Sequence, residues 1–263
     1  MMALAACVQM NSTDDVPANI ARAEQLLKAA AEQGAKLVLL PEMFLSLHAK
    51  HYATIATDTF FLHTLAQWAR QYKVWLVAGA VPQSSPDGRF YSASLVFNEY
   101  GEQVAQYNKV HLFDADVGDT QGRYQESKHF APGSEAVVVD TPLGRLGLSI
   151  CFDVRFPLLF QRLRSLGAEI IAVPAAFTYL TGKAHWQVLL QARAIETQCY
   201  VLAANQCGWH DQKRRTWGHS QIINPWGEVQ AALAKEPGVI TSVIDLTLVK
   251  DIRQRMPLTA VEV

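Results

Sequence analysis

The sequence predicts one α/β domain built from mixed β-sheets that are covered by helices. Short β-prone runs alternate with longer amphipathic helical patterns along the 263 residues. Some of the β-prone runs are continuously apolar, as in buried strands, whereas others are joined by a hairpin signal. This mixture favours mixed sheets over an all-parallel barrel. No linker, low-complexity tract or fixed-period repeat interrupts the pattern, so the predicted domain spans residues 1–263.

The first half of the chain predicts alternating strands and helices followed by a hairpin. The elements are, in order, the strand ALAACVQM, the helix PANIARAEQLLKAAAEQGA closed by Gly34, the buried strand KLVLLPE, the helix FFLHTLAQWARQY and the strand VWLVAGAV. The run FYSASLVFNEYGEQVAQYNK predicts two strands with a turn at residues 99–102. A polar loop follows over residues 109–132, and a loop of that length without regular structure usually has a function.

The second half repeats the alternation and ends in β structure. The predicted elements are the strand pair AVVVDTPLGRLGLSI, the helix PLLFQRLRSLG, the strand AEIIAVPAAF, the helix AHWQVLLQARAIETQC, the strand YVLAANQ and the β segments HSQIINPWGEVQAAL and GVITSVIDL. Pro157 falls in the first turn of its helix, where a missing N–H costs nothing.

Composition and charge favour a small-molecule partner. Half of the residues are hydrophobic, 18% are charged and the formal net charge is -1, so neither nucleic acid nor an anionic membrane is an expected partner. The first residues lack a basic segment before a long apolar run, and no window reaches the length of a membrane span. We therefore expect a cytoplasmic protein. Its four cysteines are irregularly spaced, which indicates neither a disulfide framework nor a zinc cage.

One cysteine has a context that indicates a nucleophile. Cys151 directly follows the apolar run LGLSI and precedes the helix that starts near Pro157. A sulfur on such a strand-to-helix turn lies near backbone N–H groups, which stabilise a thiolate. The alternative is a small hydrophobic residue at a strand end, the commoner fate of a free cysteine. This segment alone does not decide between the two.

A thiol nucleophile needs a base and a group that stabilises the oxyanion. Glu42 ends the buried strand KLVLLPE, and Lys109 ends the strand VAQYNK. Each could equally be a solvated surface residue when taken alone. None of the eight histidines stands in a context that marks it as the partner of a cysteine.

The three segments LPE, YNKVHLF and SICFDVRFP resemble, in order, the Glu, Lys and Cys motifs of the nitrilase superfamily of carbon-nitrogen hydrolases. The resemblance covers nearly the whole chain, and YQESKHFAPG resembles the segment that carries a second glutamate, here Glu126. The runs TGKAHWQVLLQARAIETQCYVLAANQCG and GHSQIINPWGEV are most similar to the branch that hydrolyses deaminated glutathione. The resemblance implies an αββα four-layer sandwich of two mixed sheets flanked by helices, which forms a homodimer or larger homo-oligomer through its outer helices.

The resemblance also implies a mechanism. Glu42 takes the thiol proton, the Cys151 thiolate attacks an amide carbonyl, and Lys109 together with the backbone N–H of Phe152 holds the oxyanion. The amine leaves with a proton from Glu42, and water hydrolyses the thioester. Glu126 orients Lys109 and the substrate amide. No metal or organic cofactor has a task in this scheme, and the expected reaction is a metabolite repair that yields 2-oxoglutarate and cysteinylglycine.

Substrate recognition is less defined by the sequence. Arg155 and Arg123 are candidates for binding a substrate carboxylate, and Thr178 is a further candidate for substrate binding. Arg155 could instead pair with Asp153 or another carboxylate and brace the turn. Of these two roles for Arg155, bracing is the slightly favoured one.

Four alternative functions stay open at this stage. They are an ω-amidase acting on 2-oxoglutaramate, a nitrilase, a non-catalytic binding module, and a serine hydrolase that uses Ser149 of GLSIC.

Overall fold

The computed structural model describes residues 3–258, which form sixteen strands and six α-helices. The strands are β1 (Ala3–Gln9), β2 (Ala35–Leu39), β3 (Trp75–Ser84), β4 (Phe90–Phe97), β5 (Gln103–Asn108), β6 (Asp114–Asp116), β7 (Arg123–Gln125), β8 (Val138–Thr141), β9 (Gly144–Leu148), β10 (Ile170–Ala172), β11 (Tyr200–Ala203), β12 (Cys207–Trp209), β13 (Arg215–Trp217), β14 (Gln221–Ile223), β15 (Val229–Ala232) and β16 (Gly238–Ile244). The helices are α1 (Val16–Glu32), α2 (Tyr52–Thr57), α3 (Thr59–Tyr72), α4 (Pro157–Ser165), α5 (Tyr179–Thr197) and α6 (Leu246–Arg255). Short 3₁₀ turns cover Ala49–His51, Glu126–Lys128 and Cys151–Arg155.

Twelve of the strands form two six-stranded sheets. The spatial order is β16-β1-β2-β3-β4-β5 in the first sheet and β15-β14-β11-β10-β9-β8 in the second. The central pairs β1–β2, β2–β3, β9–β10 and β10–β11 are parallel, and the outer pairs are antiparallel. Both sheets are therefore mixed, as the sequence predicts.

The two sheets pack against each other between layers of helices. Ala5 and Leu37 of the first sheet share a buried cluster with Leu146 and Val201 of the second. Alternate residues of the same first-sheet strands, such as Val38, point to the opposite face and pack on α1 and α3. Helices α4 and α5 contribute buried residues to the core of the second sheet. The predicted αββα architecture is confirmed.

The helix boundaries follow from their capping residues. The Asp15 carboxylate accepts the Ala18 N–H at 3.0 Å at the start of α1, and Gly34 has a φ of 89° just after the helix, where the sequence predicts its end. Pro157 occupies the first turn of α4, also as predicted. No helix within residues 3–258 is long and apolar enough to cross a membrane.

The prediction that residues 109–132 form a loop without regular structure is wrong in part. The segment 109–132 is not without regular structure, because β6 and β7 form a short antiparallel hairpin that leads into the turn Glu126–Lys128. The hairpin is held by its own polar side chains, since Asp114 accepts hydrogen bonds from the backbone and hydroxyl of Ser127. The single domain over residues 1–263 stays a prediction, and its first two and last five residues lie outside the described range.

Candidate active site

The predicted catalytic residues meet at one edge of the two packed sheets. Glu42 follows β2, Lys109 directly follows β5, and Cys151 lies three residues after β9. Glu126 begins the 3₁₀ turn after β7. The first two therefore come from one sheet and the cysteine from the other, while Glu126 is carried by the small hairpin.

A single ammonium group bridges the two glutamates. Lys109 Nζ lies 2.7 Å from Glu42 Oε1, and it lies 3.0 and 2.9 Å from the two carboxylate oxygens of Glu126. The Lys109 side chain is only 2% exposed and that of Glu42 only 6%. Such short, buried, charge-assisted contacts fix the three groups relative to one another.

Backbone donors hold both carboxylates in place. The Ala176 N–H donates to Glu42 Oε2 at 2.8 Å, and the Phe113 N–H donates to Glu126 Oε2 at 2.6 Å. The chain before Glu42 is also tightly packed, because a Cβ atom on Gly79 would lie 2.1 Å from the Pro41 carbonyl oxygen. Only glycine allows β3 to approach the turn that presents Glu42 so closely.

Cys151 is the first residue of its 3₁₀ turn and has a φ of 47°. This left-handed conformation is uncommon for a residue with a side chain, and it recurs at functional sites. The backbone is held there by the bond from the Cys151 N–H to the Pro174 carbonyl at 2.9 Å. The structure thus supports the strand-to-helix turn that the sequence predicts.

The electrostatics of the cluster favour a protonated thiol in the resting state. Burial raises the pKa of the Cys151 thiol, and the charge of Glu42 and its hydrogen bond raise it further, against the opposing effect of Lys109. Burial alone would lower the pKa of Lys109, but Glu126 and Glu42 together raise it well above its usual value. Burial also raises the pKa of Glu126. A thiol in this state needs a base before it can attack, and Glu42 lines the same cavity as Cys151.

The predicted oxyanion donor also lies at the turn. Phe152 is the second residue of the turn Cys151–Arg155, so its N–H has no partner within the turn. Its ring packs against those of Phe113 and Phe156, with centroids 5.0 and 5.3 Å away.

Two cavities open onto Cys151. Phe113, Cys151 and Ala176 line both of them. The larger cavity has a volume of about 320 Å³ and contains Glu42, Lys109 and Glu126, with Arg123 also on its wall. The smaller has a volume of about 20 Å³ and is lined by Arg155 and Thr178. The three predicted substrate-binding residues are therefore divided between two sides of the sulfur.

The interpretation that Arg155 pairs with Asp153 is wrong. Both Asp153 oxygens are taken by other donors, namely the Tyr107 hydroxyl at 2.7 Å, the Ile150 N–H at 2.8 Å and the His111 N–H at 3.1 Å. Within residues 3–258, Arg155 forms no ion pair with any carboxylate. Its guanidinium instead lies over the aromatic rings that line the smaller cavity, 5.0 Å from the centroid of Phe177.

The serine alternative does not fit the structure. Ser149 is fully buried, and its hydroxyl donates to the Ala172 carbonyl oxygen at 2.7 Å. It therefore lies inside the core, away from any position where a substrate carbonyl could reach it.

Among the residues of the larger cavity that sequence reasoning did not identify are Arg214, His48 and Tyr52. Arg214 belongs to the run DQKRRT, whose basic character was visible, but basic turns are usually solvated. No local pattern indicates that this turn folds back over the segment after β2, where the Arg214 Nη1 donates to the Leu47 carbonyl at 3.2 Å.

Comparison with known proteins places this site in a family. The family model for carbon-nitrogen hydrolases matches residues 4–254. The chain belongs to the carbon-nitrogen hydrolase family. It is similar to the deaminated glutathione amidase of Yersinia enterocolitica, with 43% identity over 262 residues that cover 96% of this chain and 90% of that protein. The predicted resemblance to the nitrilase superfamily and the predicted enzyme class, an amidase, are confirmed.

Solved structures share the fold. The NitFhit protein of C. elegans matches with a TM-score of 0.91 and 38% identity, over 97% of this chain and 64% of NitFhit. A mutant of the amidase from Nesterenkonia sp. AN1 matches with a TM-score of 0.81 and 26% identity, over 97% of this chain and 98% of that one. That mutant shows the Michael addition of acrylamide at its active-site cysteine.

Proposed function

We propose that this amidase cleaves the amide bond of a small carboxylate-bearing substrate through a thioester on Cys151, and that the substrate is deaminated glutathione. The products are 2-oxoglutarate and cysteinylglycine. The observation that carries the proposal is the buried cluster in which Lys109 contacts Glu42 and Glu126 beside the sulfur. The similarity to a deaminated glutathione amidase supports the choice of substrate.

The first step transfers the thiol proton to Glu42 as the sulfur attacks the amide carbonyl. Burial disfavours a free thiolate, so proton transfer accompanies attack and does not precede it. The carbonyl oxygen becomes negative and is bound by the Lys109 ammonium and the Phe152 N–H. Both donors are fixed before the reaction, which is why they stabilise the tetrahedral intermediate strongly.

The second step expels the amine and leaves the acyl group on Cys151. Glu42, now protonated, gives its proton to the leaving nitrogen. A water molecule then enters, loses a proton to Glu42 and hydrolyses the thioester, which returns the thiol. Glu126 keeps Lys109 aimed at the oxyanion through two contacts of 2.9 and 3.0 Å and orients the substrate amide.

The smaller cavity is the proposed site for the end of the acyl chain, because a volume of about 20 Å³ has room for a terminal polar group and not for the whole acyl half. Arg155 supplies a cation there, and Thr178 supplies a hydroxyl. Arg123 lies on the other side of the sulfur and is exposed, so it belongs to the mouth of the larger cavity.

Assembly as a homodimer is proposed through the outer helices α4 and α5. Leu158 is 82% exposed and Val188 is 67% exposed, and large apolar side chains at such exposure are typical of an interface. Location in the cytoplasm stays a prediction.

Replacing the nucleophile tests the mechanism. Wild type mixed with deaminated glutathione and quenched rapidly is expected to show the added mass of a 2-oxoglutaryl group, whereas Cys151→Ala shows neither adduct nor turnover. Cys207→Ala is the matched control, because Cys207 is also buried but lies on β12 and does not line the cavities. Full turnover by Cys151→Ala would remove the covalent role. If wild type bound a protein partner but did not turn over the substrate, the result would favour a non-catalytic binding module.

A further inference from the structure

The geometry points to a second recognition site: the larger cavity binds the leaving half of the substrate, and Arg214 binds a carboxylate on that half. This inference rests on the proposed amidase function and narrows its substrate class. The expected substrate is an amide whose amine half is a small peptide with a free carboxylate.

The position of the catalytic groups decides which half enters which cavity. Glu42, which protonates the leaving amine, lies with Lys109 and Glu126 on the wall of the larger cavity. The departing nitrogen must be within hydrogen-bond reach of Glu42, so the amine half extends into that cavity. The acyl chain then points toward Arg155, and only its terminal carboxylate enters the smaller cavity.

The size of the larger cavity argues for a large amine. Its volume of about 320 Å³ is at the scale of sites for small organic ligands. An amidase that released only ammonia would need room for a molecule the size of water, about 30 Å³. The cavity is about ten times that size and therefore has room for a small peptide as the leaving amine.

Arg214 forms no ion pair with a carboxylate within residues 3–258. Its Nη1 donates to the Leu47 carbonyl, but its Nε is buried and has no hydrogen-bond partner within residues 3–258. The nearby Asp211 carboxylate makes no hydrogen bond to the guanidinium, and its Oδ1 accepts the backbone N–H groups of Lys213 and Arg214 at 2.7 Å each. A partly buried guanidinium whose Nε has no acceptor is suited to a carboxylate ligand.

A second unpartnered nitrogen lies on the same wall. His48 Nε2 is buried and also has no hydrogen-bond partner within residues 3–258. The charge of Arg214 reaches this part of the cavity, since burial raises the pKa of the Tyr52 hydroxyl to about 12 and Arg214 is the largest effect that opposes the rise. Arg214 and His48 thus both contribute unpartnered nitrogens to the wall of the larger cavity.

The test compares Arg214→Gln with wild type on three substrates: deaminated glutathione, its C-terminal amide, and 2-oxoglutaramate. For deaminated glutathione we expect kcat/KM to fall about 10- to 100-fold in Arg214→Gln, mainly through KM, because a charge-assisted contact to the ground-state substrate is lost. Arg214→Lys should retain part of the activity. Lys213→Gln, at the exposed neighbouring position, is the matched control and should resemble wild type.

The other two substrates separate the outcomes. For wild type, kcat/KM should be lower on the C-terminal amide than on deaminated glutathione by a similar factor, and Arg214→Gln should lower the value for the amide little further. The substitution should change kcat/KM for 2-oxoglutaramate far less. An equal loss on all three substrates would mean that Arg214 only supports the fold, which overturns the inference. Equal turnover of the acid and the amide by wild type overturns it too, while leaving the proposed function intact. Hydrolysis of 2-oxoglutaramate without hydrolysis of deaminated glutathione would overturn both.

Discussion

Tyr107→Phe tests how the nucleophile turn is held. Tyr107 is fully buried at the end of β5, and its hydroxyl donates to the Asp153 carboxylate at 2.7 Å. The same carboxylate accepts the Ile150 N–H, which directly precedes Cys151. The chain of contacts therefore runs from the first sheet, through Asp153, to the backbone beside the sulfur.

The size of the effect follows from the lost contacts. A hydrogen bond to a charged group contributes about 1.5–3 kcal/mol, and phenylalanine fills the same space without donating one. The Val110 N–H, which donates to the Tyr107 hydroxyl at 3.3 Å, also loses its acceptor. We therefore expect the free energy of unfolding to fall by about 1.5–3 kcal/mol. We also expect kcat to fall with KM little changed, because the sulfur shifts while the residues that line the cavities stay in place.

Urea unfolding and steady-state kinetics measure the two effects. Tyr100→Phe is the matched control, since Tyr100 is 69% exposed in the turn between β4 and β5 and should change stability by less than about 0.5 kcal/mol. In a protein that already carries Asp153→Asn, Tyr107→Phe should lower the free energy of unfolding by less than it does in wild type, because the charged acceptor is gone. A cost for Tyr107→Phe as small as for Tyr100→Phe, or an unchanged cost in the Asn background, would contradict the reasoning.

Two further predictions concern acid stability and assembly. Burial lowers the pKa of His210 to about 4, so the unfolded state binds an extra proton between pH 6.5 and 4, and stability is lost as the pH falls through that window. Between pH 7 and pH 4, urea unfolding should show a loss of unfolding free energy about 3 kcal/mol larger in wild type than in His210→Gln. Equal losses in the two proteins would contradict this origin. Leu158→Asp should convert a dimer to monomers in light scattering, whereas Tyr100→Asp should not; an unchanged mass for Leu158→Asp would place the interface elsewhere.

The catalytic candidates were predictable because each ends a recognisable local pattern. Glu42, Lys109 and Cys151 all follow β-prone runs, and the ends of strands in packed sheets tend to converge on one edge. The turn residues around Pro157 were predictable for the same local reason. What the sequence could not supply is the partner of each group, because Lys109 and Glu42 are 67 positions apart.

The failures have equally specific causes. The predicted pairing of Arg155 with Asp153 is wrong because Asp153 points into the core toward Tyr107, whereas Arg155 faces the smaller cavity. The hairpin of β6 and β7 was missed because strands of three residues are too short to show a period of two. Arg214 was missed because its cavity is formed by tertiary contacts alone.

The catalytic groups depend on structural units of unequal strength. Glu42 and Cys151 come from the two large sheets, which share one buried core, so separating them requires loss of the whole fold. Glu126 instead directly follows the hairpin of the three-residue strands β6 and β7. The turn that it begins is held to the body by the Arg89 guanidinium, which donates to the Ser127 and Phe130 carbonyls at 3.1 and 3.0 Å, and by the Phe90 N–H, which donates to the His129 carbonyl at 2.9 Å. Elements with so few buried contacts open at lower free energy than the core. During unfolding, we therefore expect the contact between Glu126 and Lys109 to be lost before the contact between Glu42 and Lys109. Activity should then decline before the two sheets separate.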